Sequence, residues 1–163
     1  MPSSPASHKP ARVIANGFGC GFFPRAPGTA ASVAATLVAA VLAAISPYLL
    51  PVAVVVAFIS GLWAITRLDV RDDPGWVVID EIAGQWIALL AASPSAIPTL
   101  VAGFLFFRAF DILKPGPIQW AERAPGALGV MADDVLAGLL AAALLLACRA
   151  IFPVVFEALP LAR

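Results

Sequence analysis

Apolar residues dominate this chain in long blocks, and its charges gather between them. No charged residue occurs from 26 to 66, and Ser46-Pro47 and Pro51 break that run near its middle. The pattern predicts a helical hairpin over residues 29–46 and 51–67, each arm near the roughly 20 residues that cross a bilayer's hydrocarbon. Thr29 is the expected N-cap of the first arm. A polar loop follows, Arg67-Leu68-Asp69-Val70-Arg71-Asp72-Asp73-Pro74-Gly75. A third helix is expected over 78–92 with Asp80 and Glu81 in its first turn; it is short for a crossing, so burial in the bundle and partial insertion both fit. Ser93-Pro94 and Pro98 mark a turn. A fourth helix is expected over 97–113, ended by Pro115, because the residue before a proline is pushed out of the α region. A loop over 114–130 is rich in Pro and Gly. The last helix is expected to begin at Asp133-Asp134 and to continue, uncharged, to Cys148.

This predicts an all-α fold, a compact polytopic membrane bundle of four to five helices. Residues 1–12, rich in Ser and Pro, read as a disordered tail without a cleaved signal, and 13–158 as one domain. Composition agrees. Of 163 residues 61% are hydrophobic and 12% charged, with mean hydropathy +0.95, against about 25% charged in soluble domains. Net charge is zero, so no basic field points to nucleic acid. Cys20 and Cys148 are too few for a disulfide scaffold, and free thiols are expected. His8 is the single histidine, which removes His-based triads and His-rich metal sites.

The loops near 46–51 and 93–98 carry no charge, whereas Lys9, Arg12, Arg25, Arg67, Arg71, Arg108, Lys114 and Arg123 fall in the other set of segments. The positive-inside rule puts those eight at the cytoplasmic face, and Trp76 and Trp120 suit its interface. Arg108, Asp111 and Lys114, three apart, would form a column on one helix face. Ionisable groups near hydrocarbon cost roughly 2.5–3.5 kcal/mol each and usually mark function; the plainer reading is that the two cations only mark a cytoplasmic helix end. Asp80 and Glu81 could simply complement a helix dipole, although Glu81 and Gln85 share a face, with Gly84 and Ala88 as small packing residues beside them. The loop Gly17-Phe18-Gly19-Cys20-Gly21, leading to Pro27-Gly28-Thr29, is either a membrane-entry loop or an anion site of backbone N–H groups at a helix start.

On this topology Asp80, Glu81, Asp111, Asp133 and Asp134 converge at one membrane face. Clustered carboxylates need a cation, and oxygen-only donors favour a hard ion such as Mg²⁺ together with phosphate. Arg108, Lys114 and Arg25 could bind phosphate oxygens. Cys20 and Arg25 are spaced one short of a Cys-based phosphate loop, and no Asp-x-Asp pair opens an aspartyl-phosphate motif.

Four blocks in order make the chain resemble the bacterial phosphatidylglycerophosphatase A family. They are Gly17-Phe18-Gly19-Cys20-Gly21 with Pro27-Gly28-Thr29, Asp80-Glu81 with Gly84, Arg108-x-x-Asp111-x-x-Lys114-Pro115-x-Pro117-Ile118, and Asp133-Asp134 with Ala137-Gly138. The likeness spans about 17–146. It implies a Mg²⁺-dependent membrane phosphatase that removes the terminal phosphate of phosphatidylglycerophosphate at the cytoplasmic leaflet of the inner membrane, with no obligate protein partner. It implies catalytic roles for Asp80, Glu81, Asp111 and Asp134. The same four carboxylates and Asp133 would lie at the metal, and Arg108, Lys114, Gly28 and Thr29 at the phosphate. Ala31 departs from the family's more usual glycine, so Ser32 is given no substrate contact; Asp72 and Asp73 read as a solvated acidic turn. The rivals are a phosphatase of another anionic lipid or soluble phosphomonoester, a transporter with carboxylates in mid-helix, and a structural membrane protein indifferent to neutral replacement of Asp111 or Asp134.

Overall fold

A computed structural model of the chain describes residues 8–70, 74–93 and 95–157. Those residues form eight α-helices and no strand: α1 Lys9–Ala15, α2 Pro27–Ile45, α3 Leu49–Arg67, α4 Ile79–Leu89, α5 Ile97–Leu113, α6 Pro117–Glu122, α7 Ala127–Ile151 and α8 Pro153–Glu157, with a 3-10 segment Gly17–Phe22. Helices α2, α3 and α7 are each long and apolar enough to cross a membrane. At 17 residues, α5 spans about 25 Å at 1.5 Å per residue.

The short helix sits at the centre. Nine of the eleven residues of α4 are buried, and α2, α3, α5 and α7 all pack against it. Burial of an eleven-residue helix inside the bundle explains how it can stop short of a crossing. Its last carbonyls still need donors, because hydrocarbon supplies none. Just past the helix end, Arg149 Nη1 reaches from α7 to Ala91 O at 2.5 Å, placing a cation near the α4 C-terminus. Beyond it, the buried Thr99 hydroxyl lies 2.8 Å from Ser93 O and 2.7 Å from Ala96 O, and Ser93 N–H donates to Thr99 Oγ1.

The interior is built from small side chains. Ala31, Ala35, Ala64, Ala83, Ala88, Ala137 and Ala141 are all buried, as membrane helices require when lipid is as apolar as Leu and packing must come from close approach. Large apolar side chains such as Leu37, Val41, Val55 and Leu139 face outward.

Several sequence expectations shift. The tail expected through residue 12 is helical from Lys9, since Pro10 suits a first turn and Ala11 and Ala15 bury beside α3; residues 1–7 lie outside the described residues, as do Asp72, Asp73 and Pro94. Thr29 does not cap α2. The helix starts at Pro27, whose fixed φ is preorganised for the first turn, after Ala26 in a left-handed conformation. The 114–130 loop holds α6, whose Ile118 is fully buried. Helix α7 begins at Ala127, not at Asp133, because Gly129, Val130 and Met131 are buried against the bundle and extend the helix backward. Trp76 is half-buried under the Arg12 guanidinium, 5.6 Å from its ring centre, while Trp120 is exposed as an interfacial anchor would be.

Candidate active site

Four helices supply the site. Asp80 and Glu81 stand in the first turn of α4, Arg108 and Asp111 near the end of α5, Asp133 and Asp134 in the second turn of α7, and Gly28 and Thr29 in the first turn of α2. Two glycines let α4 and α7 meet. A Cβ on Gly84 would lie 2.5 Å from Asp134 O, and one on Gly138 would overlap Gly84 O. Only hydrogen at both positions allows this crossing, which sets Asp134 beside the start of α4.

The result is a tight carboxylate group. Donor oxygens of Asp80, Glu81 and Asp134 lie within 4.8 Å of one another. Asp80 Oδ1 accepts the Glu81 N–H at 3.1 Å. Asp134 is 4% exposed, and its Oδ1 is buried without a hydrogen-bond partner among the described residues. Asp111 lies close enough to Asp134 for the two charges to act on each other. Like charges this close need a shared proton or a cation. An all-oxygen donor set with a buried, unpartnered carboxylate oxygen fits a hard divalent cation.

Beside the acids lies an anchored guanidinium. Arg108 Nη1 is 2.5 Å from Asp111 Oδ2 and 3.5 Å from Ser32 Oγ. The Ser32 hydroxyl donates to Gly28 O at 2.9 Å, so its oxygen faces Arg108 as an acceptor. Arg108 Nε is buried without a partner among the described residues. Gly28 closes the other side: a Cβ there would overlap Glu81 Oε1 and stand 3.4 Å from Arg108 Nη1.

Not every expected residue joins this centre. Lys114 does not extend the Arg108–Asp111 column; it ends α5 at φ 43°, and its Nζ donates to Asp133 Oδ2 at 2.8 Å. Asp133 is outside the carboxylate triad for a geometric reason, because consecutive helical residues point about 100° apart. Thr29 is half-buried and Arg25 exposed. Gly17 and Gly21 of the glycine-rich loop are spent on packing: a Cβ at Gly17 would strike Ile82 and Val78, and one at Gly21 would strike Trp76 O. Asp133 and Asp134 sit in the second turn of α7 rather than at its start.

Ser32, given no substrate contact on the family pattern, stands at the site beside Arg108, and its place one turn from Gly28 is the available signal. Gln85 is marked in the sequence only by sharing a face with Glu81. Gln85 is fully buried, and neither its Nε2 nor its Oε1 has a partner among the described residues.

The chain is similar to known proteins over most of its length. The family model described as phosphatidylglycerophosphatase A matches residues 13–149. A Bacteroides thetaiotaomicron protein provisionally named phosphatidylinositol-3-phosphatase is 40% identical over 135 residues, covering 77% of this chain and 85% of that protein. Phosphatidylglycerophosphatase A of Escherichia coli is 34% identical, covering 83% of this chain and 81% of its own. The Haemophilus influenzae protein of the same name is also 34% identical, over 81% and 84%. No solved structure matches the chain.

Proposed function

The chain belongs to the phosphatidylglycerophosphatase A family, and on that premise we propose that it is a Mg²⁺-dependent lipid phosphatase converting phosphatidylglycerophosphate to phosphatidylglycerol and inorganic phosphate. Its site would face the cytoplasmic leaflet of a bacterial inner membrane, where Lys9, Arg12, Arg67 and Lys114 collect. The observation that carries the reading is Arg108. Its Nη1 is held by Asp111 and Ser32, its Nε is buried and unpartnered, and Glu81 stands across Gly28 from it.

Asp80, Glu81 and Asp134 would hold the cation. When bound, Mg²⁺ supplies charge neutralisation among the acids and a more acidic water. Arg108 receives a phosphate oxygen on Nε, and its anchored fork stabilises the charge that builds on the transferring group. Lys114, tied to Asp133, adds positive charge at the mouth. Water adds to phosphorus, the bond to the terminal glycerol oxygen breaks, and a carboxylate of the cluster passes the water's proton to that oxygen.

The test is phosphate release from phosphatidylglycerophosphate by purified protein in detergent, with Mg²⁺ and with EDTA, beside a folded Asp111→Asn variant. Mg²⁺-dependent release that the variant loses is the expected result; no release by folded wild type would sink the assignment. Phosphatidylinositol 3-phosphate belongs in a second arm, because a relative carries that substrate in its name. Faster release from it would reassign the headgroup while keeping the chemistry.

A further inference from the structure

A groove runs between α2 and α5, directly beyond the Arg108–Ser32 contact. Its volume is about 410 Å³, within the roughly 300–1,000 Å³ of ligand clefts. Thr36, Leu37 and Ala40 form one wall and Leu100, Val101 and Phe104 the other. The helical repeat ties it to the site, since Thr36 is one turn beyond Ser32 and Phe104 one turn before Arg108. The Thr36 hydroxyl is turned away, donating to Ser32 O at 2.8 Å, so the walls are apolar throughout. Leu37 and Val101, 65% and 50% exposed, form its outer lips.

We propose that this groove seats one acyl chain of the lipid whose phosphate Arg108 binds, an inference that rests on the lipid-phosphatase reading. An occupant entering here has one end beneath a guanidinium and a carboxylate cluster and the rest against hydrocarbon-like walls. That is the chemistry of a phospholipid, anionic at one end and apolar beyond it. The groove opens sideways between two helices, so a lipid can enter from the bilayer without leaving it. Holding the chain in register with the headgroup is binding energy remote from the reacting centre, which positions the phosphorus.

The experiment compares long-chain phosphatidylglycerophosphate with its deacylated phosphate ester in the same detergent. Ala40→Phe and Val101→Trp fill the groove from opposite walls; Val55→Phe adds bulk on an exposed face of α3. Displacing about two methylenes from the groove should lower kcat/KM for the long-chain substrate by roughly tenfold. The deacylated ester should be turned over as before, and Val55→Phe should change neither rate. Equal losses on both substrates, or none on either, overturn the proposal. A phosphatidylglycerophosphate with a diazirine in its acyl chain should label residues 36–40 and 100–104. Label spread evenly over the outward faces, or a disulfide-linked dimer through Leu37→Cys marking a second copy as the occupant, also overturns it. A folded wild type inactive on every lipid phosphate fails the lipid-phosphatase reading itself, and the groove with it; an active wild type with insensitive groove variants fails the groove alone.

Discussion

Gly84 on α4 and Gly138 on α7 cross with their backbones in contact, so that a Cβ on either would meet the other helix's main chain. The crossing holds Asp134 against Asp80 and Glu81. Gly84→Ala must push the helices apart, since its Cβ would sit 2.5 Å from Asp134 O. Overpacking of this kind costs about 1–3 kcal/mol. The expected outcome is a lower melting temperature in detergent together with loss of turnover. A variant with wild-type melting and full activity would refute the role of the crossing.

Arg108→Lys keeps the charge and loses the fork. Arg108 contacts Asp111 and Ser32 through one nitrogen and on the proposed mechanism would turn Nε to the substrate, a geometry an ammonium does not reproduce. Loss of a preorganised donor lowers kcat roughly a hundredfold or more. Ser32→Ala should cost only about three- to tenfold, because the Arg108–Ser32 contact is long and Asp111 still holds the guanidinium. Steady-state kinetics on both variants checks the order of the two effects.

Metal binding should appear as stability. If Asp80, Glu81 and Asp134 hold Mg²⁺, the ion at about a hundred times its Kd adds roughly 2.7 kcal/mol to the folded state. Wild type should therefore melt higher with Mg²⁺ than with EDTA, and Asp134→Asn should lose most of that difference. An unchanged Mg²⁺ response in Asp134→Asn would move the ion elsewhere.

Gln85 is fully buried and carries two unpartnered polar atoms, an arrangement that lowers stability. Gln85→Leu, close in volume, should raise stability by about 1 kcal/mol. If the amide serves the site one turn above it at Glu81, the same variant turns over more slowly. Thermal melts and kinetics read the two effects separately; lower stability with unchanged turnover would mean that Gln85 is structural.

The five longer helices, the hairpin and the bounds of α5 were written in the one-dimensional pattern, because charge-free runs of membrane length and prolines act locally; the short helices α1, α6 and α8 were not. The residues of the site were legible for a similar reason: in so apolar a chain, Asp80, Glu81, Arg108, Asp111 and Asp134 stand out as costly placements. Partnership was not legible. Which of Asp133 and Asp134 faces the other carboxylates depends on the rotation of α7, and that follows from Gly138 nesting on Gly84. The start of α7 at Ala127 depended on Gly129, Val130 and Met131, whose burial against the bundle outweighs local loop propensity. Ser32 and Arg108 are 76 positions apart and meet only because α2 and α5 pack antiparallel against α4. Local physics of the chain determined the elements and the kinds of chemistry available. Helix rotation and close approach, which no local segment encodes alone, decided which charges meet.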